Sequence, residues 1–403
     1  MHQVWRKRQG IPWEPEQPKG LKGNAEHICK VGAIANIPPA DPESLTEAFG
    51  WRAHPKLVRA IAGTLSPGPE APALREKAIG ASLEMMKGAA HLVQLLAAGI
   101  VPALNKCCVP EEEPQAKLRA AALKALERLA REFAGRALML EHGTLKALNR
   151  TATDEAAEVR GACLLVVREL ATARECMTPL VEEGFVKLLV ARCISAPDGG
   201  PPTPTFQALA CSALGRVCQT PEGLEEAIKQ GAVKTTVSML ENEHLDVRRE
   251  SAFCLAVLTH GQDEKAVALN DGVMRKAVGM LGEADEGIQT AAAAVLMSMC
   301  NGTRFPDGTN ACKPEAVKQG VVKALAPLLQ PGLSLELAGE MNEKTSALTV
   351  YVTKAMSAIA DAPKGRKQLQ QQCLDDLQAL AESSEPLVRK NALIAIQRIT
   401  WAP

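Results

Sequence analysis

The sequence predicts an all-α solenoid of repeated helical units, and three observations lead there. A glycine followed by an apolar-rich turn returns at Gly99, Gly143, Gly184, Gly231, Gly272 and Gly320, as in Gly143-Thr144-Leu145-Lys146-Ala147-Leu148. The steps between these glycines are 44, 41, 47, 41 and 48 residues, a period in the forties that belongs to stacked helical repeats. Within a unit the apolar residues fall at helical spacing, as from Leu118 to Ala130, and form a wide stripe. The composition is 46% hydrophobic but only 3% aromatic, with Tyr351 the single tyrosine. A core of Ala, Leu and Val lets helices approach closely, whereas strands favour β-branched and aromatic residues. At 403 residues a chain would ordinarily divide into about two or three domains. A repeat array absorbs that length, because each unit packs on its neighbours.

Residues 1–44 differ from the rest. Pro12, Pro15, Pro18, Gly10, Gly20 and Gly23 forbid a continuous helix, so this is an extended arm. Through Gly23 it carries Arg6, Lys7, Arg8, Lys19 and Lys22 against Glu14 and Glu16, with Trp5 and Trp13 among them. It reads either as a disordered leader or as an arm that docks through Trp5 and Trp13 on a partner or back along the repeats. A cleaved organelle-targeting peptide is a further alternative; against it, such peptides are amphipathic, Ser-rich and poor in acids, whereas this segment is punctuated by proline.

The array follows over 45–403. Ala48 to Leu57 opens it, and Leu74 to Leu96 forms an incomplete first unit, as expected of a terminal cap. The interior units read as short, medium and long helices. Gly135 to His142 is a short helix, and Gly143 is the turn into the medium one, where a positive φ costs glycine little. Three helices per unit describe an armadillo repeat better than a two-helix HEAT repeat, so the expectation is a right-handed armadillo-type solenoid of roughly six to eight units. Val159-Arg160, Val247-Arg248 and Val388-Arg389 mark starts of long helices, with Glu158, Asp246 and Glu385 placed to complement the helix dipole. Loop insertions are expected near 196–205, 301–314 and 331–345. Leu387 to Trp401 is a last long helix that closes the array.

Lys+Arg and Asp+Glu both total 46, so the chain is neutral overall. Nucleic-acid binders usually carry a basic excess, which directs the expectation to protein partners and away from nucleic acid. No apolar run reaches the roughly 18 residues of a membrane span. The twelve cysteines contain no C-x-x-C pair, and several lie inside helical patterns as small hydrophobes. They read as buried reduced thiols, and the one close His/Cys pair, His27 and Cys29, lacks the second pair that zinc needs. No phosphate loop, nucleophile elbow or zinc-protease motif is present, and His91, His142, His244 and His260 stand apart along the chain. The expectation is a non-enzyme with no cofactor, no metal and no small-molecule substrate.

The repeats align the long helices, and the alignment asks what their free face recognises. At one position stand Arg128, Glu169, Arg216, Val257, Ser298, Ala358 and Arg398. One turn earlier stand Lys124, Leu165, Ser212, Phe253, Ala294, Lys354 and Ile394. Armadillo import adaptors carry asparagines at the first position and tryptophans at the second; this chain carries neither, which argues against that role. The candidates for protein binding are Lys124, Arg128, Glu169, Arg216, Phe253 and Arg398, with the arginines suited to acidic or carbonyl groups.

The stretch Ala48-Phe49-Gly50-Trp51-Arg52-Ala53-His54-Pro55-Lys56-Leu57 resembles the opening of the radial spoke head 14 homologue family, where an aromatic-Gly-x-Arg-Ala-x-x-Lys-Leu segment precedes armadillo repeats. The resemblance extends loosely over Glu43 to Trp401. It implies a structural subunit of the radial spoke, held among other spoke proteins in the axoneme of a cilium or flagellum, and so a cytoplasmic, cytoskeletal location. Alternatives are a central-pair armadillo protein, which would show regular units without the proline loop, and a cytosolic adaptor, which would show a polar ladder.

Overall fold

The computed structural model describes residues 61–63, 65, 72–196, 202–302 and 311–401. The arm at 1–44 with Trp5 and Trp13, the opening segment 48–57, and residues 197–201 and 303–310 of the insertions near 196–205 and 301–314 lie outside the described residues. Two compact units divide the chain, Met1–Leu170 and Ala171–Pro403.

In the first unit, a long helix α1 (Pro72–Met85) precedes two groups of three. These are α2 (Ala89–Ala97), α3 (Ile100–Cys107) and α4 (Ala116–Ala130), then α5 (Phe133–Glu141), α6 (Thr144–Thr151) and α7 (Ala157–Leu170). The long members α1, α4 and α7 pack side by side in chain order. The second unit continues the grammar with α8 (Arg174–Glu182), α9 (Phe185–Ile194) and α10 (Pro204–Val217), followed by α11 (Pro221–Lys229), α12 (Ala232–Met239) and α13 (Leu245–Leu258). Next come α14 (Gln262–Asn270), α15 (Val273–Leu281) and α16 (Glu286–Cys300). Its long helices also pack in sequence, and α16 has on its other side α20 (Glu343–Ile359). The last group is α21 (Pro363–Gln372), α22 (Leu374–Leu380) and α23 (Pro386–Thr400).

The group ending in α20 departs from the pattern. It opens with α17 (Cys312–Lys318) and α18 (Val321–Leu325), runs through a 3₁₀ turn at Ala326–Leu329, and adds α19 (Gln330–Ala338). The expected loop at 331–345 is therefore largely helix. Pro331 sits in the first turn, where its missing N–H costs nothing, and Gly332 lets the helix lie against Thr349, whose Oγ1 would be 2.4 Å from an added Cβ. Only the short link after Gly339, to the Asn342 cap of α20, is non-helical.

Six of the short helices meet their medium helix at a glycine in the left-handed region, and the last pair, α21 and α22, meets instead at Cys373 with φ −129°. Gly99, Gly143, Gly184, Gly231, Gly272 and Gly320 have φ between 68° and 81°. At Gly143 an added Cβ would meet nothing within 4 Å, so the backbone conformation alone demands glycine there. Gly223, third residue of α11, answers a different need. A Cβ there would lie 2.4 Å from the Val217 carbonyl oxygen, so the short helix crosses the end of α10 at backbone contact.

The core is aliphatic, with Leu123, Leu126, Leu129, Val166, Leu214, Leu255, Leu296 and Met356 fully buried. The eleven cysteines among the described residues are free and buried. Burial pushes the Cys163 and Cys300 thiols up to about 12, because a thiolate would lack solvent there.

Candidate binding surface

One polar device recurs at four of the loops that run into a long helix. An acceptor side chain in the loop binds the backbone N–H two residues on: Glu113 that of Gln115 (3.0 Å), Asp154 that of Ala156 (2.9 Å), Asn242 that of His244 (3.0 Å), and Ser383 that of Glu385 (3.1 Å). Six residues later an arginine returns its Nη1 to the carbonyl of the same residue. Arg119 donates to Glu113 (2.8 Å), Arg160 to Asp154 (2.8 Å), Arg248 to Asn242 (2.6 Å) and Arg389 to Ser383 (2.7 Å). At two of these positions the arginine also reaches the following group. Arg119 holds Asp154 through Nε (2.8 Å) and Nη2 (2.9 Å), both side chains almost fully buried, and Arg248 holds Glu283 at 2.5 Å.

Thus the Val-Arg pairs do more than begin helices. Glu158 and Asp246 do lie in first turns, and Glu385 occupies a cap position without a side-chain cap bond. The acids that organise the loops are Glu113, Asp154 and Glu283. The six-residue interval from Asp154 to Arg160, repeated from Asn242 to Arg248 and from Ser383 to Arg389, was the signal for them in the sequence.

In the first unit Lys124 is exposed on α4, and Arg128 lies one turn further along, half-buried. Arg128 is engaged internally, donating to Glu132 Oε1 (2.9 Å) and to the Met86 carbonyl (3.1 Å). Glu169 is half-buried on α7. In the second unit Arg216 is exposed in the last turn of α10, Phe253 is half-buried on α13, and Arg398 is exposed on α23 with Nη1 3.6 Å from Asp361.

Phe253 is the candidate with the most developed surroundings. Its ring meets that of Tyr351 edge-on, with centroids 6.4 Å apart and planes at 61°. The two rings come from α13 and α20, whose common neighbour is α16. They meet because α16 presents small residues on this face: Ala291 and Ala294 are buried, and Ser298 is buried against Thr259, which donates to its Oγ at 3.0 Å. Lys354 stands one turn along from Tyr351 with Nζ 5.4 Å from the ring centroid, a cation–π distance. The import-adaptor positions at Ser298 and Ala358 are thus buried, while the neighbouring rows carry aromatic and cationic groups. Among the described residues no three His, Cys, Asp or Glu side chains are placed to hold a metal ion, and no helix is long and apolar enough to cross a membrane.

The fold is an armadillo-type α-solenoid, and comparison with solved structures gives the same class. The chain is similar to an engineered protein with TM-score 0.67 and 19% identity, over 96% of this chain and 97% of that one. It is also similar to a designed armadillo repeat protein in complex with the peptide (KR)4, with TM-score 0.52 and 19% identity, over 64% of this chain and 99% of that one. A computationally designed armadillo repeat protein for modular peptide recognition gives TM-score 0.51 and 18% identity, over 64% and 99%. No protein-family model and no curated protein sequence matches the chain.

Proposed function

We propose that this chain is a non-catalytic scaffold that binds other proteins, and that it serves as a structural subunit of the ciliary radial spoke. The observation that carries the scaffold reading is the free face of the long helices, where Phe253, Tyr351, Lys354, Arg216 and Arg398 stand in partly or fully exposed positions on stacked elements. Rigid helices that present aromatic and cationic groups side by side suit a partner held at several points. Designed proteins of the same fold recognise peptides, which supports protein partners for this chain as well. The spoke assignment rests on the segment Ala48 to Leu57, and with it go an axonemal location and spoke proteins as neighbours. Trp5 and Trp13 are proposed as an additional anchor on those neighbours.

The test is fractionation of isolated cilia with mass spectrometry. The chain is expected to leave the axoneme with the salt-extracted spoke fraction, and its absence from cilia would overturn the spoke assignment. Deleting residues 1–23, or changing Trp5 and Trp13 to Ala, is expected to weaken co-purification of neighbours without altering the helical spectrum. Unchanged recovery would remove the arm from the binding role.

A further inference from the structure

The chain is neutral, yet the free face of the long helices in the second unit is not. Along the rows that run from Arg216 to Arg398 the cations are Arg216, Arg249, Lys354, Lys390 and Arg398, and the carboxylates are Asp246 and Glu250. Both carboxylates belong to Arg249, at 2.6 Å and 3.4 Å. Arg398 leans on Asp361 at the edge of the row. Arg216, Lys354 and Lys390 have no carboxylate within ion-pair distance among the described residues, and Arg216 and Lys390 are exposed. Between them the surface is apolar, formed by the Phe253–Tyr351 ring pair with Val257, Met297 and Ile394 half-exposed around it.

Resting on the scaffold reading, we infer that this face binds an extended acidic segment of a partner protein. An apolar or proline side chain of the segment sits on the Phe253–Tyr351 pair, and its carboxylates meet Arg216, Lys354 and Lys390. The charge balance gives the sign: among the described residues Arg216, Lys354 and Lys390 have no carboxylate partner, whereas Asp246 and Glu250 are already engaged by Arg249. The aromatic pair gives the register, because the buried Ala291 and Ala294 of α16 leave room for the two rings to meet across it. Lys354 is held over Tyr351 by a cation–π contact at 5.4 Å and, among the described residues, by no carboxylate, which leaves its ammonium for a carboxylate to recruit. Four helix-to-helix steps of roughly 8–10 Å separate α10 from α23, so a segment of roughly ten to twelve extended residues at about 3.3 Å each spans the row.

The probe is a fluorescein-labelled decapeptide of alternating glutamate and proline, with a lysine–proline decapeptide as its opposite, titrated against the full chain by fluorescence anisotropy. Proline keeps both extended, so they differ in charge alone. The acidic peptide is expected to bind and to weaken as added salt shortens the screening length. Its affinity is expected to fall by about two orders of magnitude in the triple variant Arg216→Glu, Lys354→Glu, Lys390→Glu. These side chains lie outside the core, and an unchanged helical spectrum and melting curve certify the variant. Tyr351→Leu is expected to weaken the acidic peptide severalfold while leaving its salt dependence intact. Absent binding of the acidic peptide, equal or tighter binding of the basic one, or binding that survives the triple variant would each overturn the inference. Recovery of the chain with ciliary neighbours is scored separately, so the acidic-segment assignment can fall while the scaffold reading stands.

Discussion

At the scale of single residues the glycines divide into two kinds, and each makes its own prediction. Gly143 is open to space but holds φ at 68°, so Gly143→Ala should destabilise the protein by about 1–2 kcal/mol through backbone strain alone. Gly143→Asn should cost less, because asparagine tolerates the left-handed region. Gly223→Ala should cost about 1–3 kcal/mol by overpacking against the Val217 carbonyl, and there asparagine should be no better than alanine. Urea unfolding of the four variants separates strain from crowding; equal ranking at both positions would contradict the distinction. The first kind was legible in the sequence, since a recurring glycine before an apolar turn names its own backbone requirement. The second was not, because a close crossing of two helices depends on how α10 and α11 meet, which spacing along the chain does not encode.

At the scale of elements, four of the junctions between a loop and its long helix are held by an acceptor and an arginine six residues apart. The Arg119–Asp154 pair carries this device from one group to the next in a nearly water-free setting. Removing one partner leaves a buried charge uncompensated, so Arg119→Ala or Asp154→Ala should each cost about 3–5 kcal/mol. The double variant Arg119→Met, Asp154→Leu should recover part of that loss, since it leaves no unpaired charge, while the Glu113 carbonyl and the Ala156 N–H still lose their partners. A double-mutant cycle with no coupling between the two positions would refute this account. The helices themselves were readable from apolar periodicity, and so was their order within a group. The region at 331–345 was misjudged because Pro331 and Gly332 look like loop residues. Proline in a first turn and glycine against Thr349 are both compatible with helix, and only the packing reveals it.

For the molecule as a whole, neutrality of the sequence concealed a local sign. Totals of 46 and 46 say nothing about which charges are already paired, and only the geometry shows Asp246 and Glu250 turned toward Arg249. Of the surface candidates, Phe253, Arg216 and Arg398 were found from repeat alignment. Tyr351 was not, because it lies outside the aligned rows and joins Phe253 across an intervening helix. That leap has a consequence for how the array opens. Repeat proteins ordinarily couple nearest neighbours only, and so fray from an end one unit at a time. Here the Phe253–Tyr351 contact ties the helices on either side of α16, so α16 cannot be exposed without parting rings that belong to its two neighbours. Amide hydrogen exchange should therefore show α13, α16 and α20 opening together as one block. In Tyr351→Leu, α20 should exchange ahead of α13. If the three already exchange in steps in the native chain, the rings are a surface contact and no latch.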